Sequence, residues 1–516
     1  LITGKKFNWN ILALFILLAI LIIDKIIFLV TFNFKYVISD DMIYWLSSTD
    51  YSRGIFHEPY FYGQNYNFMF ESVVAIPFLY AAIPYHIALP LSTTIIFLFP
   101  WILFALVMYR KGFITESLIF LVVPICLPAG YSFISLGRCG FVSGLCITGL
   151  LVYSLLNPAK KSAVFLGAFS VGLGYLLNPN SLVFSLPVNL FLFLNNFKRI
   201  SFYWINLITI LPMLALEYQA KKFYELHPEY KVTWMWNFEF KTDLLKKGLA
   251  HLDNLMPYMT PVFWSVGWLS VLIIFLTGIL LLPGSWKKGV SLIAGTLFIV
   301  FLLGLVKVHD QVPTIFYSSG RMFIGIPLLF ALSLSWGLES LPFSKNRIRI
   351  VIFAMCIIVF IFKMISYHPN VKQNTQKTDF GPIAMKKVKD IKTDCAWLAT
   401  IARDNKTDLI IFVPIWSLNV PILEFYDYGC PMVEKEFTKT LLTGYEKRTW
   451  VYMKEKSEVY PNILIFGASP DLLKNNEDGN FKLIHNDPQV IAIKNNTLKV
   501  EELLKKLDIK LSRNAW

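Results

Sequence analysis

Residues 9–30 read WNILALFILLAILIIDKIIFLV. This apolar run matches the length a bilayer core demands of a helix, about 20 residues. Lys5 and Lys6 precede it, so its outline resembles a secretory signal. It is longer than a cleaved signal core, however, and lacks a clear small-residue cleavage site. It reads as a first membrane-spanning helix.

The rest of the chain repeats the pattern. Over 516 residues, 55% are hydrophobic and only 16% charged, against about 25% charge in soluble domains. Further apolar runs fall at 88–109, 113–130, 139–156, 162–177, 181–195, 201–217, 261–283, 289–306, 321–339 and 348–366. Together they give about eleven spans. With that count the basic clusters Lys5-Lys6, Arg110-Lys111, Lys160-Lys161, Lys198-Arg199, Lys287-Lys288 and Lys345 to Arg349 all lie on one side. The excess of basic residues in cytoplasmic loops makes that side the inside. The N-terminus is then inside and the C-terminus outside. The formal net charge of +14 is explained by this orientation. It points to membrane lipid, with some attraction to anionic headgroups or phosphate, and not to nucleic acid.

The outer side receives the loop 31–87, the turn at Gly137-Arg138, Asn178-Pro179-Asn180, the loop 218–260 with Trp234 and Trp236, the segment Lys307 to Arg321, and everything after Tyr367. Segment 68–84 is short and punctuated by Pro77 and Pro84, so it reads as an interfacial or re-entrant helix, with Glu71 hydrated at the interface. Segment 41–53 reads as a second interfacial helix. Residues 367–516 change character. Leu409 to Val413, Ile463 to Phe466 and Val490 to Ile493 are of strand length, while 382–403 and 500–509 have helical periodicity. The fold class is therefore an α-helical polytopic membrane protein, 1–366, with a C-terminal extracytoplasmic α/β domain, 367–516. Cys126, Cys139, Cys146 and Cys356 lie in or beside apolar runs and read as packing residues. Cys395 and Cys430 lie in the outer domain, where their spacing leaves a disulfide open. No Cys–His spacing marks a zinc site.

The densest chemistry is in the first outer loop. Asp40 and Asp41 have a plain reading as caps of a helix beginning near Met42. At an outer membrane face, a carboxylate can also take a proton from a hydroxyl or hold a divalent cation. His57, Glu58 and Glu71 are either partners or simple surface ion pairs. The aromatics from Pro59 to Tyr66, with Tyr62, Gln64 and Tyr66 among them, either anchor the loop at the interface or stack on a sugar or an isoprenoid. Arg138, Lys307, His309 and Arg321 each have a plain reading as interfacial cations. Convergent, they would make a phosphate or diphosphate site. His309 beside Asp310 is also a candidate metal ligand or proton carrier. Asn178-Pro179-Asn180 reads as a tight turn, and 218–260 as a lid or a plain insertion.

The plan resembles the GT-C superfamily of integral-membrane glycosyltransferases, most closely the branch of the protein O-mannosyltransferases and lipid A aminoarabinose transferases. Asp40-Asp41 in the first outer loop carries the resemblance, with Tyr62-Gly63-Gln64-Asn65-Tyr66 leading to Glu71 and Pro77. The resemblance implies a polyprenyl-phosphate sugar donor and transfer on the outer face of a bacterial inner membrane, usually with inversion. The acceptor would be a glycan, a lipid or a protein. It implies Asp40 as the catalytic acid position, with Asp41 where many relatives have Glu. Arg138, Lys307 and Arg321 are the candidate donor-phosphate residues. Glu58, Tyr62, Gln64, Tyr66, Glu71 and His309 are the candidate acceptor or sugar residues. Some relatives use a divalent cation and others none. Mg or Mn on Asp40, Asp41 or His309 is accordingly open. Two other classes stay in play: a transporter or flippase of a lipid-linked sugar, suggested by Pro and Gly within the spans, and an assembly protein presenting the outer domain.

Overall fold

A computed structural model describes residues 9–62, 67–230, 239–309, 319–340, 345–376, 385–412, 440–442, 449–466, 481–486 and 490–509. In chain order its helices are α1 (Trp9–Phe28), α2 (Ser39–Ser52), α3 (Phe70–Tyr80), α4 (Tyr85–Arg110), α5 (Ile114–Cys126), α6 (Ala129–Leu136), α7 (Ser143–Thr148), α8 (Leu151–Leu156), α9 (Lys161–Leu177) and α10 (Leu182–Asn196). There follow α11 (Ile200–Leu226), α12 (Thr242–Ala250), α13 (Leu252–Leu255), α14 (Leu269–Leu302), α15 (Val306–His309), α16 (Ile326–Ser340), α17 (Lys345–Gln376), α18 (Val388–Asp404), α19 (Thr449–Glu455) and α20 (Val500–Lys506). The chain forms two compact units: Leu1–Asn33, Leu89–Tyr218 and Met235–Lys377 make one, and Phe34–Ala88, Gln219–Trp234 and Thr378–Trp516 the other.

The first unit is helical because lipid offers the backbone no hydrogen bonds, so each crossing segment must satisfy its own. Among the described residues six helices are long and apolar enough to cross a membrane, or seven if the bent pair α5 and α6 counts as one span. α17 shows the solvent they are built for. Ile358, Ile361, Phe362 and Ile365 are all more than half exposed, an arrangement that in water forfeits about 1.5–3 kcal/mol per side chain. This is a polytopic α-helical membrane protein. All of the apolar runs read from the sequence contain helix, but several are short or broken. α5 and α6 meet at 90°, where Pro128 supplies no amide hydrogen and stands as the N-cap of α6.

α14 is a hairpin rather than a single rod. Ser285 leaves helical geometry, with φ −149° and ψ 57°. Along a straight helix Gly278 and Gly289 would stand about 16 Å apart. Instead, a methyl group on Gly289 would sit 2.6 Å from the Gly278 carbonyl oxygen. The two halves therefore run back along each other after Pro283-Gly284, which matches the separate runs expected at 261–283 and 289–306.

In the second unit, strand β1 (Tyr36–Ile38) pairs antiparallel with β2 (Met385–Lys387). β1 feeds α2 and β2 feeds α18. Here two expectations are corrected. α2 presents no open face over Met42 to Ser48, which are all buried in protein, where a surface-lying helix would leave one side uncovered. α3 packs on it, with Ser47 and Ser72 hydroxyls 2.6 Å apart and the Ser72 hydroxyl donating to the Tyr44 carbonyl at 3.3 Å. At 11 residues, α3 reaches only about 16 Å. Glu71, expected to be hydrated, is fully buried on the same side of α3 as Ala75, while Val73 and Tyr80 on that helix are exposed.

The remaining strands are β3 (Leu409–Phe412), β4 (Thr440–Leu442), β5 (Asn462–Phe466), β6 (Phe481–Asn486) and β7 (Val490–Asn495). They form one sheet in the order β4-β3-β5-β7-β6. β3 runs parallel to β4 and β5, and β7 antiparallel to β5 and β6. Ile463 and Ile465 join Leu409, Ile411, Ile491 and Ile493 on the face covered by Leu503, Leu504 and Leu507. Phe466 points the other way, to Trp397 of α18. Burial on both faces explains why the central strands are almost continuously apolar. Cys395 is buried on α18, and Cys430 lies outside the described residues.

Candidate functional site

In the helical unit, the cations read from separate loops are carried by neighbouring elements. α6 ends at Gly137, and Arg138 follows, 7% exposed. Its guanidinium carbon lies 5.0 Å from the centre of the Phe141 ring. Arg321, on the 3-10 turn Ser319–Phe323, lies 5.1 Å from the same centre. Both distances suit cation–π attraction. The 3-10 turn packs against α6, α15 and the turn Pro179–Ser181. Lys307 and His309 are on α15.

The loop between α6 and α7 is tied down by amide side chains. Asn178 Nδ2 donates to the Gly140 carbonyl at 2.7 Å. Asn180 Nδ2 donates to the Phe141 carbonyl at 2.7 Å and to the Arg321 carbonyl at 3.4 Å. Gly140 itself sits at φ 94°, which a side chain would resist. Asn178-Pro179-Asn180 is thus more than a turn between spans. It brackets the backbone that carries both arginines. Two planar guanidinium forks held beside one ring suit an oxyanion with several acceptor oxygens, such as a phosphate. His309 Nε2 donates to the Leu303 carbonyl at 2.8 Å, so that nitrogen is engaged in capping α14. Among the described residues no three His, Cys, Asp or Glu side chains gather as metal ligands. Asp310 lies outside the described residues.

The second unit holds the acids. Asp40 and Asp41 occupy the first turn of α2, whose N-cap is Ile38. Neither is therefore the cap expected ahead of Met42. Both are half-buried, and the helix N-terminus favours their charged forms. At the other end of α2, Asp50 Oδ2 accepts from the Tyr62 hydroxyl at 3.0 Å and lies 3.5 Å from His57 Nε2. Glu58 is 1% exposed, and its Oε2 accepts from the Tyr224 hydroxyl at 3.0 Å. That hydroxyl in turn accepts from the Tyr60 amide at 3.3 Å. Trp450 of α19 stands edge-on to Tyr62, centroids 4.7 Å apart. Burial first, and then the Asp50 and Glu58 charges, pushes the Tyr51 and Tyr62 phenols above their ordinary range. They remain hydrogen-bond donors at neutral pH.

Of the residues singled out in the sequence, Arg138 and Arg321 meet at Phe141, and Glu58 and Tyr62 belong to the acid–aromatic cluster. Gln64, Tyr66, Trp234 and Trp236 lie outside the described residues. Asp50, Phe141, Asn180, Tyr224 and Trp450 went unread as site residues. Trp450 lies two residues after Arg448, at the end of a charged stretch.

Fold and clusters together define a polytopic α-helical membrane protein with two arginines beside one ring in its helical body and a mixed β-sheet in its second unit. No family model and no curated protein matches the chain. Two solved structures align along nearly all of it. ArnT from Cupriavidus metallidurans bound to undecaprenyl phosphate aligns with TM-score 0.48 and 10% identity, over 95% of this chain and 98% of that one. ArnT from Cupriavidus metallidurans in the apo state aligns with TM-score 0.48 and 12% identity, over 96% and 98%. Similarity at that level assigns neither an activity nor a role to any residue of this chain.

Proposed function

We propose that the chain is a membrane glycosyltransferase that moves a sugar from a polyprenyl-phosphate donor to a glycan, lipid or protein acceptor at the outer face of a bacterial inner membrane. The observation that carries this reading is the pair Arg138 and Arg321, held against the single ring of Phe141 in a helical membrane body. A lipid-linked phosphate is the oxyanion such a body would meet. The parity of the basic clusters supports about eleven crossings, with the N-terminus inside and the sheet outside.

In the proposed reaction, the Asp40 carboxylate accepts the proton of the acceptor hydroxyl as its oxygen attacks the anomeric carbon. The bond from that carbon to the phosphate oxygen breaks, inverting the centre. Arg138 and Arg321, with Lys307, stabilise the charge that grows on the departing phosphate. Asp41 supports the helix start or binds the acceptor. Glu58, Tyr62 and the residues around them recognise the acceptor or the sugar. Whether Mg or Mn assists at the acids is read from turnover with and without a chelator.

The test supplies purified protein with a panel of polyprenyl-phosphate sugars and follows released polyprenyl phosphate by mass spectrometry. Release with one donor, absent in Asp40→Asn and in Arg138→Gln, supports the reading and names the sugar. Undiminished release in Arg138→Gln removes the phosphate role. Movement of labelled lipid between leaflets with no release favours a transporter, a reading that the 90° break between α5 and α6 keeps in view.

A further inference from the structure

Among the charged side chains buried in the helical unit are Asp24 and Lys25 of α1, and Lys363 of α17. Lys363 Nζ reaches both carboxylate oxygens of Asp24, at 2.8 and 2.9 Å, and Lys25 Nζ reaches one of them at 2.9 Å. Ionisable groups at membrane depth are costly and mark function. Here each lysine makes a further hydrogen bond, and the two bonds fall on opposite sides of the same helix break. Lys363 Nζ donates to the Ile125 carbonyl in the last turn of α5, at 3.2 Å. Lys25 Nζ donates to the Ser132 hydroxyl in the first turn of α6, at 3.1 Å.

The break is where such donors are needed. A 90° bend strips the last carbonyls of α5 of their helical partners. The next one, Cys126, accepts from the Val262 amide at 3.2 Å and from Trp264 Nε1 at 2.9 Å. Beyond the bend, α6 stays fastened to the segment that follows Lys25. Phe133 lies edge-on to Phe28 and Phe32, centroids 5.2 and 4.8 Å apart. Asn33 Nδ2 donates to the Leu136 carbonyl at 2.7 Å. Gly137 and Arg138 come next.

We propose that Asp24, Lys25 and Lys363 form an intramembrane staple that fixes the α5–α6 bend and thereby positions Arg138 for a lipid-linked phosphate. The staple rests on the phosphate reading of Arg138. Its residues are positioning residues, remote from any reacting atom.

The experiment measures undecaprenyl phosphate binding in nanodiscs, together with the melting temperature, for four proteins. These are wild type, Ser132→Ala, the apolar triple Asp24→Leu/Lys25→Met/Lys363→Met, and Arg138→Gln. Apolar replacement of a whole buried ion cluster commonly preserves folding, so the triple variant should melt near wild type yet bind about tenfold more weakly. Ser132→Ala, which leaves the ion cluster intact, should bind about threefold more weakly. A folded triple variant with wild-type affinity overturns the staple. If the triple variant does not fold, Ser132→Ala decides: weaker binding supports the proposal and unchanged binding overturns it. Wild-type binding in Arg138→Gln instead overturns the phosphate reading beneath it. Weak binding in Arg138→Gln beside normal binding in the staple variants overturns the staple alone.

Discussion

His57 lies face to face with Trp450, ring centroids 3.9 Å apart and planes within 7° of parallel. One ring belongs to the first loop of the chain and the other to α19, next to the sheet core that Trp450 also packs against. The stack clamps residues 55–62 from one side, while Asp50 holds His57 and Tyr62 from the other.

Trp450→Ala should remove that clamp. Loss of the aromatic pairs alone costs about 0.5–1.5 kcal/mol each, beyond the buried area. Amide exchange in residues 55–62 should rise well above its rise elsewhere in the unit, and Trp450→Phe should restore most of the protection. Equal exchange in wild type and Trp450→Ala would show that the stack holds nothing.

The Tyr51 and Tyr62 phenols should make the protein sensitive to alkali. Their folded ionisation lies above the unfolded value, so the folded chain keeps protons that the unfolded chain gives up. Their contribution is complete below about pH 10 and falls as pH rises beyond it, by up to about 1.4 kcal/mol per pH unit for each phenol. Thermal melts between pH 8 and 11 should show the decline in wild type and a shallower one in Tyr51→Phe and Tyr62→Phe.

Gly289→Val should open the α14 hairpin. The added carbon atoms meet the Gly278 carbonyl and Leu282, and overpacking of this kind costs about 1–3 kcal/mol. A lower melting temperature in nanodiscs is the expected outcome. Gly284→Ala, at a position with open space around it, should be nearly neutral and serves as the control.

Asn180→Leu should loosen the loop that carries Arg138. It leaves the Phe141 carbonyl without its amide donor, a loss of about 1–3 kcal/mol for a buried acceptor. Undecaprenyl phosphate binding should weaken in Asn180→Leu. Asn195→Leu is the comparison: Asn195 donates to the Phe191 carbonyl of its own helix and accepts from Lys287 Nζ of α14 at 3.0 Å, neither bond touching the loop of Arg138, so its loss should leave binding unchanged.

What the sequence disclosed follows from how each feature is encoded. Spans were legible because lipid demands long apolar runs, and the gap between the runs at 261–283 and 289–306 falls where α14 turns back. β3, β5 and β7 were legible because both faces of the inner sheet are covered. β4 and β6 were not: they lie at the two edges of the sheet, where strands such as Phe-Lys-Leu-Ile-His-Asn mix polar residues into the pattern. β2, read as Met-Lys-Lys, carries no strand signal of its own and exists through its pairing with β1. Arg138 and Arg321 drew notice because cations stand out beside apolar spans. Phe141, which joins them, is one phenylalanine among 44. Asp24 and Lys25 hide inside the first apolar run, and their partner Lys363 is 339 residues from Asp24 along the chain.

The pairing of Tyr36–Ile38 with Met385–Lys387 also sets an order in time. A ribosome makes about 5–20 residues per second, so β1 emerges tens of seconds before the strand that completes it. Throughout that interval the segment leading into Asp40 and Asp41 has no partner strand. A message cut short, or a chain clipped before Met385, would deliver the helices to the membrane with the acidic loop unfinished. The β1–β2 pair thus forms only once synthesis has reached the last quarter of the chain, and truncated copies would be inserted without it.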